Sequence, residues 1–220
     1  RRVAPGARLL VWGNRPVPDS LPDGVQVVRV EDGFLRSVGL GADLVQPLSW
    51  VMDTRGMYYD ASQPSDLESL LQDSHFDDAM LARAARLRHR IVETGLSKYN
   101  VGNISWTRTV GAERVILVPG QVESDASILT AAMGIRTNIE LLLAVREANP
   151  DAYVLYKPHP DVVAGLRAMC VGEEQARNLC DEMVEGAAIS ALLPHVDAVH
   201  VLTSLTGFEA LLRGKSVTCY

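Results

Sequence analysis

The chain has 220 residues, of which 47% are hydrophobic and 22% are charged, and its formal net charge at pH 7 is -6. This composition is ordinary for a globular α/β protein, and the length suits one large domain or two small ones. A nucleic-acid partner is not expected, because neutralising phosphates requires a basic protein face. A small anionic ligand is compatible with the net charge, since a local cluster of Lys, Arg and helix N-termini can hold one.

Cysteine usage and hydropathy bear on the cellular compartment. Cys170, Cys180 and Cys219 form no C-x-x-C pair, which is typical of reduced, buried thiols in the cytosol. No apolar run approaches the ~20 residues that cross a bilayer, and residues 1–6 lack the apolar core of a signal peptide. We therefore expect a cytoplasmic protein.

Short apolar runs predict the first strands. Residues 8–12 and 25–30 are interpreted as buried strands of a parallel sheet. Residues 48–59 contain two apolar runs around the polar segment 53–56, which predicts a hairpin with a polar turn.

Two helices and a linker follow. Ser65 is predicted to cap a helix, with Glu68 at the capping-box position. Residues 77–94 predict a longer amphipathic helix, and residues 98–109 are interpreted as a linker. The apolar residues at helical spacing are Met80, Leu81, Ala84, Leu87 and Ile91.

From residue 114 onward, apolar strands alternate with helical segments. The predicted strands cover residues 115–118, 153–156, 198–202 and 216–219, and the predicted helices cover residues 138–147, 177–184, 187–193 and 207–213. Such alternation means a parallel sheet with right-handed crossovers, and ligands lie off the carboxyl ends of its strands. The chain stops just after a strand, where a covering helix is usual, so we expect a truncated C-terminus.

Two adjacent carboxylates follow the second predicted strand. Glu31 and Asp32 precede Gly33 at a loop, and Arg36 comes within one helical turn, where its guanidinium could pair with a ligand carboxylate. The alternative is a plain turn in which the aspartate caps and Gly33 supplies a permissive backbone.

A second polar loop covers residues 120–127, after the next strand of the second half. It contains Gln121, two carboxylates, Glu123 and Asp125, and two hydroxyls. Glycosyl transfer with retention can use one carboxylate as nucleophile and another acid as proton donor or acceptor. The alternative is that Ser124 or Asp125 caps a short helix, and spacing alone does not separate the two.

A third polar segment, Lys157-Pro158-His159-Pro160, ends the strand at residues 153–156. The two prolines stiffen the backbone around His159 and keep Lys157 extended. A pre-organised Lys and His at a strand end suit a phosphate or a nucleotide. The alternative is a rigid turn with a surface lysine.

A fourth polar segment leads from a strand directly into a helix. Ser204, Thr206 and Gly207 stand at the helix start, where free N–H groups and the helix dipole make an anion site. Glu209 lies in the first turn, where it could reach a ribose hydroxyl. By itself the pattern could be only a well-capped helix, but beside the Lys157 loop it predicts a site for a nucleotide phosphate.

These segments, in this order, resemble the bacterial capsule β-Kdo glycosyltransferases, the KpsC-type proteins with their KpsS relatives. The likeness covers nearly the whole chain. The stretches that carry it are residues 30–41 (VEDGFLRSVGLG), 47–49, 56–60, 64–68, 121–125, 157–160 and 204–214.

The resemblance implies a GT-B-like α/β fold with two Rossmann-like domains, an acceptor-side domain over residues 1–100 and a CMP-sugar domain over residues 110–220. It implies a retaining transferase that moves Kdo from CMP-Kdo to a lipid-linked Kdo acceptor and builds the poly-β-Kdo linker of capsular polysaccharide. No metal or other cofactor is expected. The expected partners are the donor, a glycolipid acceptor at the inner membrane surface and capsule assembly or export proteins, with the enzyme peripheral at that membrane.

The resemblance also implies roles for individual residues. Asp125 is expected to be the nucleophile and Glu31 the acid/base, supported by Asp32, although the assignment among these and Glu123 stays open. The residues expected to bind the donor are Lys157, His159, Ser204, Thr206, Gly207, Glu209, Arg36 and Gln121.

Two other functions remain as alternatives. Bacterial sialyltransferases also contain acid-Asp-Gly and His-Pro motifs, so the donor could be a different CMP-sugar. The chain could also be a non-catalytic export or scaffold protein. The KpsC-type proteins carry two modules, and residues 41–47 are more similar to the second one, which would add Kdo to Kdo.

Overall fold

The computed structural model describes residues 3–41, 43–109, 111–163 and 173–220. These residues form two sheets, one of three strands and one of five, with helices between the strands. The predicted fold class, two α/β halves with mainly parallel sheets, is confirmed. The predicted domain boundary near residues 100–110 stays a prediction.

The first sheet contains β1 (Arg8–Trp12), β2 (Gln26–Asp32) and β3 (Trp50–Asp53), in that order. β1 and β2 are parallel, as predicted, whereas β3 pairs antiparallel with β2. Buried apolar side chains come from β2, while Leu10 and Trp12 of β1 are 54% and 39% exposed. The expectation of a buried first strand is therefore wrong.

β3 ends at a buried carboxylate rather than in a hairpin. The Asp53 side chain accepts hydrogen bonds from the N–H groups of Arg55, Gly56 and Asp66, each at 2.9 Å. These bonds direct the chain into the next helix instead of into a returning strand. The predicted hairpin over residues 48–59 is therefore wrong.

Replacing Asp53 by alanine is expected to lower the free energy of unfolding by about 3 kcal/mol, because three backbone N–H groups lose their shared acceptor. Urea unfolding of the parent and the variant measures the difference. Asp19→Ala, at an exposed position, removes the same charge without these bonds. If Asp53→Ala cost no more than this control, the carboxylate would not be what holds the turn.

The second sheet contains β4 (Val115–Pro119), β5 (Tyr153–Lys157), β6 (Glu182–Met183), β7 (Ala198–Val201) and β8 (Ser216–Cys219). It is parallel throughout, in the order β6-β5-β4-β7-β8. Ile116 and Val118 of β4 belong to one apolar cluster, and Val115 and Leu117 to another. Alternate residues of a strand face opposite sides, so the core lies on both faces of this sheet.

Helices connect and cover these strands. They are α1 (Asp66–Asp73), α2 (Asp78–Glu93), α3 (Ala126–Ala131), α4 (Asn138–Ala148), α5 (Pro160–Val163), α6 (Glu173–Leu179), α7 (Ile189–Leu192) and α8 (Leu205–Leu212), with a 3-10 helix at Leu193–His195. The cap at Ser65 is confirmed, since its hydroxyl accepts the N–H of Glu68 at 3.0 Å.

Two of the sequence-based expectations for the second half are wrong. The helix predicted at residues 177–184 ends early, because Glu182 and Met183 pair with β5 as an edge strand. Of the cysteines, Cys219 is exposed and Cys180 is only half-buried, while Cys170 lies outside the described residues. Buried thiols are therefore not found at the two described positions.

Most of the apolar side chains of helix α2 are exposed to solvent. It shows the predicted apolar spacing, but Met80, Leu81 and Leu87 are 52–54% exposed, and Ile91 is its one buried residue. The apolar side of this helix is thus not packed against the described part of the chain. No helix among the described residues is long and apolar enough to cross a membrane.

The predicted linker is attached to both halves of the chain. We call residues 96–100 the strap. The Lys98 carbonyl accepts the N–H groups of Arg36 at 2.9 Å and Ser37 at 3.2 Å, and the Lys98 N–H donates to the Glu209 carboxylate at 2.7 Å. These bonds fix the strap between the loop after β2 and helix α8.

Candidate active site

A cleft of about 640 Å³ lies between the two halves of the chain, with walls from both. The residues at the carboxyl ends of β2, β4 and β5, the strap and the start of α8 all line it. This volume is typical of a small-ligand site. The four polar segments singled out in the sequence therefore meet in one place, as expected for the carboxyl ends of strands in α/β sheets.

Glu31 and Asp32 form the first wall of the cleft. The sequence placed them in a loop, but pairing with β3 extends β2 through both residues. Burial raises the pKa of Glu31, and the nearby Asp32 charge raises it further, while the Asp32 N–H bond, Lys98 and the Tyr59 hydroxyl lower it. The hydroxyl of Tyr59 lies 3.4 Å from Glu31 Oε2. Glu31 thus holds its proton to a higher pH than an exposed glutamate.

Arg36 is engaged within the protein. Its guanidinium donates to Asp32 Oδ2, to the Ser37 hydroxyl at 3.0 Å and to the Val45 carbonyl at 2.8 Å, and the residue is only 6% exposed. Asp32 Oδ1 is buried and has no hydrogen-bond partner among the residues the structure describes. The pair lines the cleft, but a donor carboxylate would have to compete with Asp32 for Arg36.

Asp125 lines the cleft from the second half, and it is also the N-cap of α3. Its Oδ1 caps α3 by accepting the N–H and hydroxyl of Ser127 at 2.9 and 2.8 Å. Within the described part of the chain, its Oδ2 makes no hydrogen bond, and the residue is exposed. Glu123 instead accepts the N–H of Asn138 at 2.8 Å and is not part of the cleft wall. This arrangement favours Asp125 over Glu123 as a reacting carboxylate.

Gln121 connects the ends of two strands. Its amide nitrogen donates to the Thr203 hydroxyl and its amide oxygen accepts the Thr203 N–H, both at 2.9 Å. The same hydroxyl lies 2.9 Å from that of Ser127. Gln121 is buried and lines the cleft, so its amide positions the loops after β4 and β7.

Lys157 and His159 line the cleft from the second half of the chain. Lys157 Nζ donates to the Glu185 carbonyl at 3.2 Å, and burial lowers the pKa of this ammonium. Burial also lowers the pKa of His159, so its ring is neutral at pH 7 rather than a second cation. His159 Nδ1 accepts the Asp161 N–H at 3.2 Å, which leaves the ring proton on Nε2.

The start of α8 has the predicted cap. The Ser204 hydroxyl accepts the Thr206 N–H at 3.2 Å, and both residues line the cleft. A Cβ on Gly207 would lie 3.2 Å from Val201, so Gly207 allows the helix to pack closely on β7. Glu209 lines the cleft, but its carboxylate already accepts the strap N–H.

Sequence reasoning missed several residues of the cleft. Lys98 and Tyr99 line it from a segment interpreted as a linker, and Tyr58 and Tyr59 line it from a segment interpreted as a strand. The phenol pKa of Tyr59 is raised to about 12 by burial and by Glu31, so it remains a proton donor. In the strap, the sequence showed only a lysine next to an aromatic residue, Lys98-Tyr99, and such a pair has no periodic pattern that would reveal a site.

The cleft combines two chemical functions. Glu31 and Asp125 offer a protonatable group and an accessible carboxylate, while His159 and the α8 N-terminus offer neutral and dipolar hydrogen-bond donors. Such a set can displace a phosphate leaving group from a sugar and activate a hydroxyl. Among the described residues, no three or more His, Cys, Asp or Glu side chains are grouped to hold a metal ion.

Similar proteins come from capsule and lipopolysaccharide systems. The chain is 47% identical over 222 residues to the capsule polysaccharide modification protein LipA of Neisseria meningitidis serogroup B, covering 100% of this chain and 32% of LipA. It is 42% identical over 205 residues to the lipopolysaccharide-processing protein LpsZ of Rhizobium meliloti, covering 91% of this chain and 47% of LpsZ. The chain thus spans a third to a half of these relatives.

Two solved structures of KpsC from Thermosulfurimonas dismutans have the same fold. The β-Kdo 2,7 transferase is 41% identical, with a TM-score of 0.74 over 97% of this chain and 64% of that one. The β-Kdo 2,4 transferase is 29% identical, with a TM-score of 0.78 over 96% of this chain and 68% of that one. Residues 20–220 match the family described as capsule polysaccharide biosynthesis protein, and the chain belongs to that family.

Proposed function

We propose that this chain forms the catalytic part of a retaining glycosyltransferase that transfers Kdo from CMP-Kdo to a lipid-linked Kdo acceptor, building the poly-β-Kdo linker of capsular polysaccharide. The observation that carries the proposal is the convergence of Glu31, Asp125 and His159 on one cleft between two α/β halves. The Kdo transferase titles of the two similar structures support the choice of sugar.

The proposed reaction has two displacements. The free Oδ2 of Asp125 attacks the anomeric carbon of Kdo, the bond from that carbon to the phosphate oxygen breaks, and CMP leaves with the electron pair. Glu31 then takes the proton of the acceptor hydroxyl, whose oxygen attacks the same carbon and releases Asp125. Two inversions at one carbon give net retention. No metal or other cofactor has a part in these steps.

The donor nucleotide is proposed to lie along the second half of the chain. His159 lines the cleft and carries its ring proton on Nε2, and the first turn of α8 after Ser204 adds backbone dipoles that favour a phosphate. Lys157 contributes positive potential from its buried position. Asp32 and Arg36 support Glu31 by fixing the loop after β2.

The acceptor side and the setting of the enzyme are part of the same proposal. Identity is higher to the 2,7 transferase than to the 2,4 transferase, at 41% against 29%, so we propose a 2,7 linkage. Linkage analysis of the product tests this choice. We propose that the acceptor is a glycolipid at the inner membrane surface and that capsule assembly proteins are partners.

Calorimetric titration with CMP tests the donor site. His159→Ala is expected to weaken CMP binding about ten- to hundredfold, because a buried hydrogen bond to a charged phosphate is lost. His75→Ala, at an exposed position outside the cleft, serves as the matched control and should bind CMP like the parent. Thermal unfolding of both variants checks that His159→Ala is folded.

A donor-hydrolysis assay and the CMP titration together separate the alternatives. Hydrolysis of CMP-sialic acid in preference to CMP-Kdo would replace our donor with that of a sialyltransferase. A parent protein that binds no CMP, or a His159→Ala variant that binds it normally, would favour a scaffold without a nucleotide site.

A further inference from the structure

The strap holds Lys98 at a defined point of the cleft. The Glu209 carboxylate, 6% exposed, accepts the Lys98 N–H, and the Lys98 carbonyl is held by the loop after β2. Arg213, which follows the last residue of α8, donates to the Leu96 carbonyl at 3.1 Å. The backbone of Lys98 is therefore fixed from both halves of the protein, while its side chain extends along the cleft wall.

The ammonium of Lys98 differs from the other cations of the cleft. Arg36 is paired with Asp32, and Lys157 is buried against a carbonyl oxygen. Lys98 Nζ lies 5.1 Å from the centroid of the Tyr99 ring, and among the described residues it has neither a carboxylate within ion-pair distance nor a hydrogen-bond acceptor. Lys98 is half-buried and lines the cleft, so a ligand bound there can contact its ammonium.

An anionic ligand in this cleft needs a cation to offset the carboxylates that line it. Glu31, Asp32 and Asp125 line it with carboxylates, and a donor with a sugar carboxylate and a phosphate is itself anionic. An anionic ligand entering beside carboxylates is repelled unless a cation compensates. A half-buried ammonium that has no acidic partner in the protein supplies this compensation when the ligand arrives.

We propose that Lys98 Nζ binds an anionic oxygen of the donor, either the sugar carboxylate or the nucleotide phosphate, and that Glu209 is a positioning residue that acts through the backbone of Lys98. The proposal rests on the proposed function, since it takes a CMP-linked acidic sugar as the ligand. It gives Glu209 a role other than the expected contact with ribose.

Electrostatics of the neighbouring groups agree with this placement. Burial raises the pKa of Glu31 and lowers that of His159; the Lys98 charge opposes the first shift and adds to the second, so the ammonium lies near both groups. Burial raises the pKa of Glu209, and the strap N–H and the Lys98 charge oppose that rise. A position near both Glu31 and His159 is where the anionic groups of a bound donor would be.

Equilibrium binding tests Lys98. CMP-Kdo is titrated into the Asp125→Asn protein, in which turnover is blocked, with and without Lys98→Met. We expect a ten- to hundredfold loss of affinity in Lys98→Met and partial recovery in Lys98→Arg. Arg83→Met removes one positive charge from exposed helix α2 and should leave the affinity unchanged. Equal affinity of the Lys98→Met protein and its parent would overturn the proposal.

A second titration with CMP alone identifies the anionic group. Loss of CMP affinity in Lys98→Met points to the phosphate, and loss confined to CMP-Kdo points to the sugar carboxylate; both support the proposal. If the parent binds neither ligand, the proposed function itself fails. If the parent binds both and Lys98→Met binds both equally well, only the role of Lys98 fails.

A double-mutant cycle tests Glu209. Glu209→Gln keeps an oxygen acceptor for the strap N–H and should bind CMP-Kdo nearly as well as the parent. Glu209→Ala removes the acceptor and should weaken binding, but it should add little once Lys98 is methionine. Fully additive losses, or a Glu209→Gln variant as weak as Glu209→Ala, would show that Glu209 does not act through Lys98.

Discussion

Replacing Asp125 by asparagine is expected to reduce transfer at least about a thousandfold, as the loss of a nucleophile does in other enzymes with covalent intermediates. The structure separates two tasks of this side chain, because Oδ1 caps α3 and Oδ2 makes no bond within the described residues. Asparagine is as good a helix cap as aspartate but cannot attack the anomeric carbon. The variant should therefore fold normally and lose its activity.

Product formation from CMP-Kdo measures the loss, and Asp77→Asn provides the matched control. Asp77 caps α2 in the same way, by accepting the Met80 N–H at 2.8 Å, and it lies outside the cleft wall. Asp77→Asn should retain parental activity.

Mass spectrometry adds an independent readout. A Kdo-sized mass increase is expected on the peptide that contains Asp125 in the parent and not in Asp125→Asn. An increase on another carboxylate, or an active Asp125→Asn enzyme, would assign the nucleophile elsewhere.

The second half of the chain was largely predictable because local signals and burial coincide there. The strands β4 and β5 are continuous apolar runs, and the sheet buries them on both faces. Helix α4 carries its own start signal, since Thr137 and Glu140 form a capping box that does not depend on distant residues. Where the periodic pattern and the caps agree, sequence alone specifies the element.

The first half was less predictable because long-range contacts decide it. The three hydrogen bonds of Asp53 include one to Asp66, thirteen positions away, and no local pattern announces them. The exposed apolar side of α2 has the same spacing in the sequence as a packed amphipathic face. In the second half, a comparable case is the short strand β6, which is defined by its pairing with β5.

The same distinction applies to the cleft. Asp125 and His159 follow two strands of one sheet and could be brought together by the rule that the ends of parallel strands meet at one edge. Glu31 belongs to the other sheet, so the rule does not place it beside them. The engagement of Arg36 by Asp32 and of Glu209 by Lys98 depends on side-chain contacts that spacing does not encode, the second of them across 111 positions. Those contacts decide which charged groups are left for a ligand.

Replacing Glu31 by glutamine is expected to lower transfer on the order of a hundred- to thousandfold, because general base catalysis is typically worth that much. Glu31 must be ionised to accept the proton of the acceptor hydroxyl. Burial and the Asp32 charge raise the pKa of Glu31, whereas Lys98 and the Tyr59 hydroxyl lower it. The acid limb of the parental pH–rate profile should therefore lie above the range of an ordinary glutamate and should be absent in Glu31→Gln.

The raised pKa also fixes the sign of the effect on stability. The folded protein binds a proton at Glu31 more tightly than the unfolded chain does, so this contribution to stability is fully present below the unfolded pKa and is lost as pH rises through the folded pKa. At pH 7 the ionised carboxylate is destabilising. Glutamine removes that charge, so the free energy of unfolding of Glu31→Gln should exceed that of the parent at pH 7.

Urea unfolding as a function of pH separates this account from simple damage to the fold. The stability gain of Glu31→Gln should disappear below about pH 4, where Glu31 is protonated in both states. Glu147→Gln, at an exposed position of α4, should show neither the stability gain nor the loss of activity. A Glu31→Gln variant less stable than the parent at pH 7 would mean that the carboxylate stabilises the cleft. An unchanged acid limb of the pH–rate profile in Glu31→Gln would mean that another group is the base.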